Sequence, residues 1–289
     1  MDSIDAGRAG IPITELDIAG GVIDLLDHDD LTEARLLRYF ESNASLLKQN
    51  ISQAKAKYQE DTIGGIVKLN FPRYIQNSAL ILSNHKRFAA VKDHVIEKLS
   101  KTYGNNLPAV VLVPCLGLFS AGGWADPING THHIFIALER LPEDFQMEIL
   151  LAHEITHAIS EIDRDTVLGG FYNEGYATYV SSVLYPGHNE ETYFFSLEKI
   201  KYDSYLDWID KHRDKIYQDS GEPFVVLDEI HKLYFTSSFS DYPNIGYVIG
   251  FKYLEYLNRG YTLQELRTLG MNESENRKAF KAFICNSEF

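Results

Sequence analysis

Residues 150–160 read LLAHEITHAIS, and two imidazoles in that run decide how the rest of the chain is understood. His153 and His157 are four residues apart. On an α-helix, positions i and i+4 lie one turn apart on the same face, so both rings can reach a single metal ion. Glu154 follows His153 and projects roughly 100° around the helix, where it can hold a water beside the ion rather than the ion itself. Leu150, Leu151, Ala152, Ile155, Ala158 and Ile159 make the segment apolar nearly all round, which predicts a buried helix. Imidazoles and a carboxylate on a buried helix need partners, and a metal ion is one.

His-Glu-x-x-His is the arrangement of zinc peptidases, and a single Zn2+ ion is its expected occupant. Catalytic zinc takes three protein ligands, so a third must follow. Residues 169–184, GGFYNEGYATYVSSVL, open on two glycines and run toward Pro186-Gly187, which predicts a helix of three to four turns. Glu174 shares a face there with Ala177, Thr178 and Ser181, small residues that permit close approach to a neighbouring helix. An acid flanked by Phe171, Tyr172, Tyr176 and Tyr179 is poorly explained as a surface residue. The alternative ligand is Asp163, six residues after His157, where metzincins place theirs. That geometry needs a sharp turn, normally a glycine, and this chain has Ser160. Glu174 is therefore preferred. Glu161, Asp163 and Asp165 read as loop acids, one of which can orient a ligand imidazole through its second nitrogen.

A chain of 289 residues can bury a large core, in one big domain or two modest ones. The formal charge of −14 argues against a nucleic-acid backbone or an anionic membrane as partner. Cys115 and Cys285 stand far apart without Cys/His neighbours, which predicts two free, buried thiols and excludes a disulfide framework. The first residues lack a basic stretch followed by an apolar one, and the longest apolar run, 109–119, is broken by Pro114 and Gly117. A cytoplasmic protein is the default expectation. Oligomeric state is not legible.

Residues 1–12 read as a mobile tail and 13–104 as a helical N-terminal region. Apolar residues recur at threes and fours from Thr14 to Tyr58, and a further one or two helices are expected over 74–100. Asp61–Gly65 and Phe71-Pro72 read as breaks. After the turn signal at Tyr103-Gly104 the character changes. Ala109–Val113 is β-branched and bounded by prolines, hence a strand, and Thr131–Ala137 is a second one. Between them lie a glycine-rich loop and the turn at 126–130. Beyond Gly187, two amphipathic helices reach to about Ser220, another spans Phe224–Phe235, and Ile245–Asn258 forms a buried helix. Thr262 and Glu265 make a capping box.

The ligand pattern, His153-Glu154-x-x-His157 with Glu174-Gly-Tyr-Ala177 after 16 intervening residues, resembles the gluzincin zinc metallopeptidases. With Gly246-Tyr247-Val-Ile-Gly250, the chain is most similar to a bacterial family of predicted zinc-dependent proteases of unassigned substrate. The likeness covers roughly residues 105–270. It implies an α+β, mostly α fold: a helical N-terminal part, then a zincin-like metallopeptidase domain over 105–289 with a small sheet packed on the active helix. It further implies that Thr131–Ala137 is the sheet edge that pairs with extended substrate. The implied activity is peptide hydrolysis of a peptide or protein substrate, with Glu154 as general base and Tyr247 steadying the oxyanion; Tyr242 and His231 are the alternatives. Two other functions remain open on the residues alone: a metallohydrolase of a non-peptide amide or ester, and an interaction protein whose metal only staples two helices.

Overall fold

The computed structural model describes residues 13–104, 108–141, 146–160, 162, 164–194, 199–225, 228–236, 242 and 244–287. The tail at 1–12, Glu161 and Asp163 all lie outside the described residues. Helices dominate, with one four-stranded sheet, so the fold is α+β and mostly α. The chain divides into two compact units, Met1–Ala158 and Ile159–Phe289, and the division falls inside a continuous helix.

In the first unit, β1 (Ile13–Glu15), β2 (Val110–Cys115), β4 (Thr131–Ala137) and β3 (Gly123–Ile128) form a sheet in that spatial order. β1 and β4 run parallel to β2, and β3 runs antiparallel to β4. Three expectations are corrected here. Ile13–Glu15 is a strand, not the start of a helix, because β2 offers it an open edge. Gly123–Ile128 is a strand rather than loop and turn; only the hairpin tip, Asn129-Gly130, is irregular, with φ of 52° and 79°, the two positive values a tight primed turn requires. β4 is interior, bonded on both sides, so the edge beside it is β3. An edge also explains how a strand tolerates Pro127.

The helices of this unit are α1 (Gly20–Asp27), α2 (Glu33–Ser42), α3 (Lys48–Tyr58), α4 (Ile63–Gln76), α5 (Ser78–Tyr103) and α6 (Met147–Ser160). Phe71-Pro72 does not break α4, since Pro72 sits inside it. A proline there removes one rung of the ladder, but tertiary contacts hold the last turn. Tyr74 is fully buried and donates to the Gly117 carbonyl, and the Arg73 guanidinium lies 3.8 Å from the Phe119 ring centre.

Those contacts belong to a larger arrangement around the loop at 116–120. Its backbone is buried between elements, where each unbonded N–H would be costly. The Leu116 N–H donates to Tyr39 Oη, Gly117 and Phe119 to the Glu139 carboxylate, and Leu118 to Asn50 Oδ1. Lys57 Nζ donates to the Phe119 carbonyl at 2.6 Å. Burial pushes the Glu139 carboxyl above its ordinary value, and the two backbone donors pull against that shift. Polar residues of α2, α3 and α4 thus serve as the hydrogen-bond partners of a loop. Cys115 is buried beside it, whereas Cys285 is exposed, contrary to expectation.

The second unit contains α7 (Val167–Leu184), α8 (Lys199–Lys211), α9 (Arg213–Asp219), α10 (Glu229–Phe235), α11 (Ile245–Leu257), α12 (Leu263–Gly270) and α13 (Glu273–Asn286). Thr166 caps α7 by accepting from the Gly169 N–H at 3.1 Å, so the helix begins two residues before the glycines and runs five turns. The capping box of Thr262 and Glu265 is formed in both directions. α7 and α11 cross at glycines: a Cβ on Gly175 would lie 2.2 Å from the Gly250 carbonyl carbon, and one on Gly250 would lie 2.0 Å from the Phe171 oxygen. Among the described residues, no helix is long and apolar enough to cross a membrane.

Candidate metal centre

α6 is buried along nearly its whole length, as its all-round apolar sequence requires; Leu151, Ala152, Ile155, Ala158 and Ile159 are fully enclosed. The helical spacing places His153 and His157 one above the other. Their Nε2 atoms are 3.0 Å apart and the rings meet edge to face, at 88°. Two nitrogens held at zinc's usual bond length and tetrahedral angle would be separated by about 3.3 Å, so this pair is already spaced for a shared ion.

Glu174 lies in the second turn of α7 and is 7 % exposed. His153, His157 and Glu174 each offer one ligand atom, and these atoms all lie within 4.8 Å of one another. Two imidazole nitrogens and one carboxylate oxygen are ligand types that a divalent metal ion accepts. The group can hold a metal ion.

Glu154 is also buried, at 7 % exposure, and is not among the three donors. Its neighbour is the edge strand. A Cβ on Gly123 would lie 2.9 Å from Glu154 Oε1 and 3.1 Å from its Cγ. Only a glycine lets β3 pass this close to the carboxylate.

Around Glu174, Arg164 ahead of α7 and Asn173 within it supply polar partners that motif reading overlooks. Arg164 Nη1 is 3.5 Å from Glu174 Oε1, and Arg164 Nη2 donates to Asn173 Oδ1 at 2.5 Å. Asn173, 3 % exposed, donates in turn to the Ile162 carbonyl at 3.3 Å. The signal was available: an arginine between the two helices, ahead of an Asn-Glu pair.

The three oxyanion candidates are placed differently. His231 is half-buried on α10, its ring 5.0 Å from that of Phe224. Burial holds the pKa of this imidazole below its ordinary value, against the opposing charges of Asp228 and Glu174. Tyr242 rests its ring 5.3 Å from Tyr205 and 5.8 Å from Trp208. Tyr247 is half-buried in the first turn of α11. Asp163, the alternative ligand, lies outside the described residues.

No protein-family model, curated protein or solved structure matches this chain.

Proposed function

We propose that this chain is a zinc-dependent peptidase of gluzincin type, holding one zinc ion through His153, His157 and Glu174. The observation that carries the reading is the convergence of two imidazoles and a buried carboxylate within 4.8 Å, with a further buried acid, Glu154, beside the pair but outside the donor set. Zinc bound there supplies Lewis acidity, lowering the pKa of a water and polarising a carbonyl. Glu154 takes the proton of the attacking water and delivers it to the departing amine, as a general base and then a general acid. The substrate backbone lies along β3, the strand at one end of the sheet among the described residues. Tyr247 keeps the oxyanion role the resemblance suggests, with Tyr242 and His231 as the alternatives. Cytoplasmic action on a peptide or protein completes the proposal.

The test is digestion of a proteome-derived peptide library by the protein loaded with equimolar zinc, then stripped with chelator, then reloaded. Cleavage present, lost and restored across the three arms is the expected result. A library left intact in all three would overturn the peptidase reading.

Gly123 provides a finer check. In Gly123→Ala the new methyl meets the flexible end of Glu154 rather than backbone, so the carboxylate shifts while the fold persists. Zinc affinity should match the parent's, and kcat/KM should fall roughly tenfold to a hundredfold, because a displaced base loses its alignment. Equal activity in the two proteins would remove Glu154 from the chemistry or β3 from its neighbourhood.

A further inference from the structure

We propose that Arg164 is a positioning residue of Glu174 that competes with the metal for the same carboxylate, so that metal binding is an exchange between a guanidinium and a divalent cation. The inference rests on the metal reading above. Glu174 has a side chain only 9 % exposed, and an ionised carboxylate in such a place requires a compensating charge. Arg164 provides one, at 3.5 Å, from a side chain that is itself 42 % exposed. One arm of the guanidinium is pinned by Asn173, which is anchored to the Ile162 carbonyl. The other arm faces Glu174 Oε1. The separation is that of an ion pair rather than a tight two-pronged bond, so the contact can be given up.

A dication on Glu174 removes the need for Arg164 and repels it. Arg164 therefore stabilises the protein without metal more than the protein with it, and the coupling between guanidinium and metal is unfavourable. By linkage, deleting the positive charge favours the metal-bound form. A residue that merely held α7 in shape would act the other way, since its loss would loosen Glu174 and weaken metal binding.

The experiment is competition for zinc between a chromophoric chelator and the full-length protein, run on the parent, Arg164→Met and Arg164→Lys, with melting temperatures in excess chelator. Arg164→Met should bind zinc on the order of tenfold more tightly than the parent and melt at lower temperature without metal. Arg164→Lys, which keeps the charge, should stay near the parent in both. In a Glu174→Gln background, Arg164→Met should leave zinc affinity almost unchanged, because the shared carboxylate is gone. Should Arg164→Met fail to fold in chelator, Arg164→Gln retains a donor for Asn173 and carries the same comparison. A parent that binds zinc while Arg164→Met binds it equally or more weakly overturns the competition and leaves the metal reading standing. A parent that binds no zinc overturns the metal reading itself.

Discussion

Glu154→Gln should bind zinc within about threefold of the parent and hydrolyse peptide bonds about 10²- to 10⁴-fold more slowly, the range over which a positioned general base contributes. The asymmetry follows from the site. The three candidate ligand atoms belong to His153, His157 and Glu174, so Glu154 can change without altering the donor set. Glutamine has the size of glutamate and fits the same enclosed space against Gly123, where 7 % of Glu154 is exposed. What glutamine lacks is a basic oxygen to take a proton from water. Chelator competition reads the first half of the expectation, and peptide turnover under saturating zinc reads the second. A variant that cleaves like the parent would sink the mechanism even with zinc in place. One that loses zinc would show that Glu154 serves the metal directly.

The candidate metal-ligand group was legible in the sequence because its logic is local. Four-residue spacing on a helix brings His153 and His157 together whatever the rest of the chain does, and their Nε2 atoms do meet, at 3.0 Å. Glu174 was legible for a related reason: an acid among four aromatic residues on a glycine-opened helix is ill suited to a surface, and it is buried. What escaped depends on distant partners. Ile13–Glu15 has no periodicity of its own and becomes a strand only against Val110–Leu112. Gly123–Ile128 carries glycine and proline signals of a loop, yet it is held to β4 along its whole length. Tyr39, Asn50 and Lys57 read as members of ordinary helix faces, and only the structure reveals the loop at 116–120 that they bond. Pro72 speaks for a helix end by local chemistry; tertiary contacts at Arg73 and Tyr74 outweigh it. Arg164 falls in the same class: it precedes an Asn-Glu pair in the sequence, but only the structure shows that it reaches the Glu174 carboxylate.

Gly250→Ala should cost about 3 kcal/mol or more of folding stability, at the upper end of what overpacking a core does. The added methyl would lie 2.0 Å from the Phe171 carbonyl oxygen and 2.8 Å from the Gly175 Cα. Both obstacles are backbone, so no rotamer change relieves them. α7 and α11 must move apart at the crossing, and the separation is felt by the buried residues on either side, including Ile249, Tyr253, Phe171 and Tyr176. Gly175→Ala faces the same problem from the other helix, with Gly250 backbone atoms 2.2–2.5 Å from its methyl. Gly21→Ala is the matched control. That glycine is exposed inside α1, and a methyl added there would meet nothing within 4 Å, so alanine should stabilise by about 0.5–1 kcal/mol through backbone entropy. Urea denaturation of the three variants reads opposite signs from one chemical change. Because Gly175 follows Glu174 directly, the crossing variants should also bind zinc more weakly, and the loss should track the loss of stability. A Gly250→Ala protein within about 1 kcal/mol of the parent would mean that the helices do not cross backbone to backbone, and the Gly-Tyr-x-x-Gly element would need another explanation.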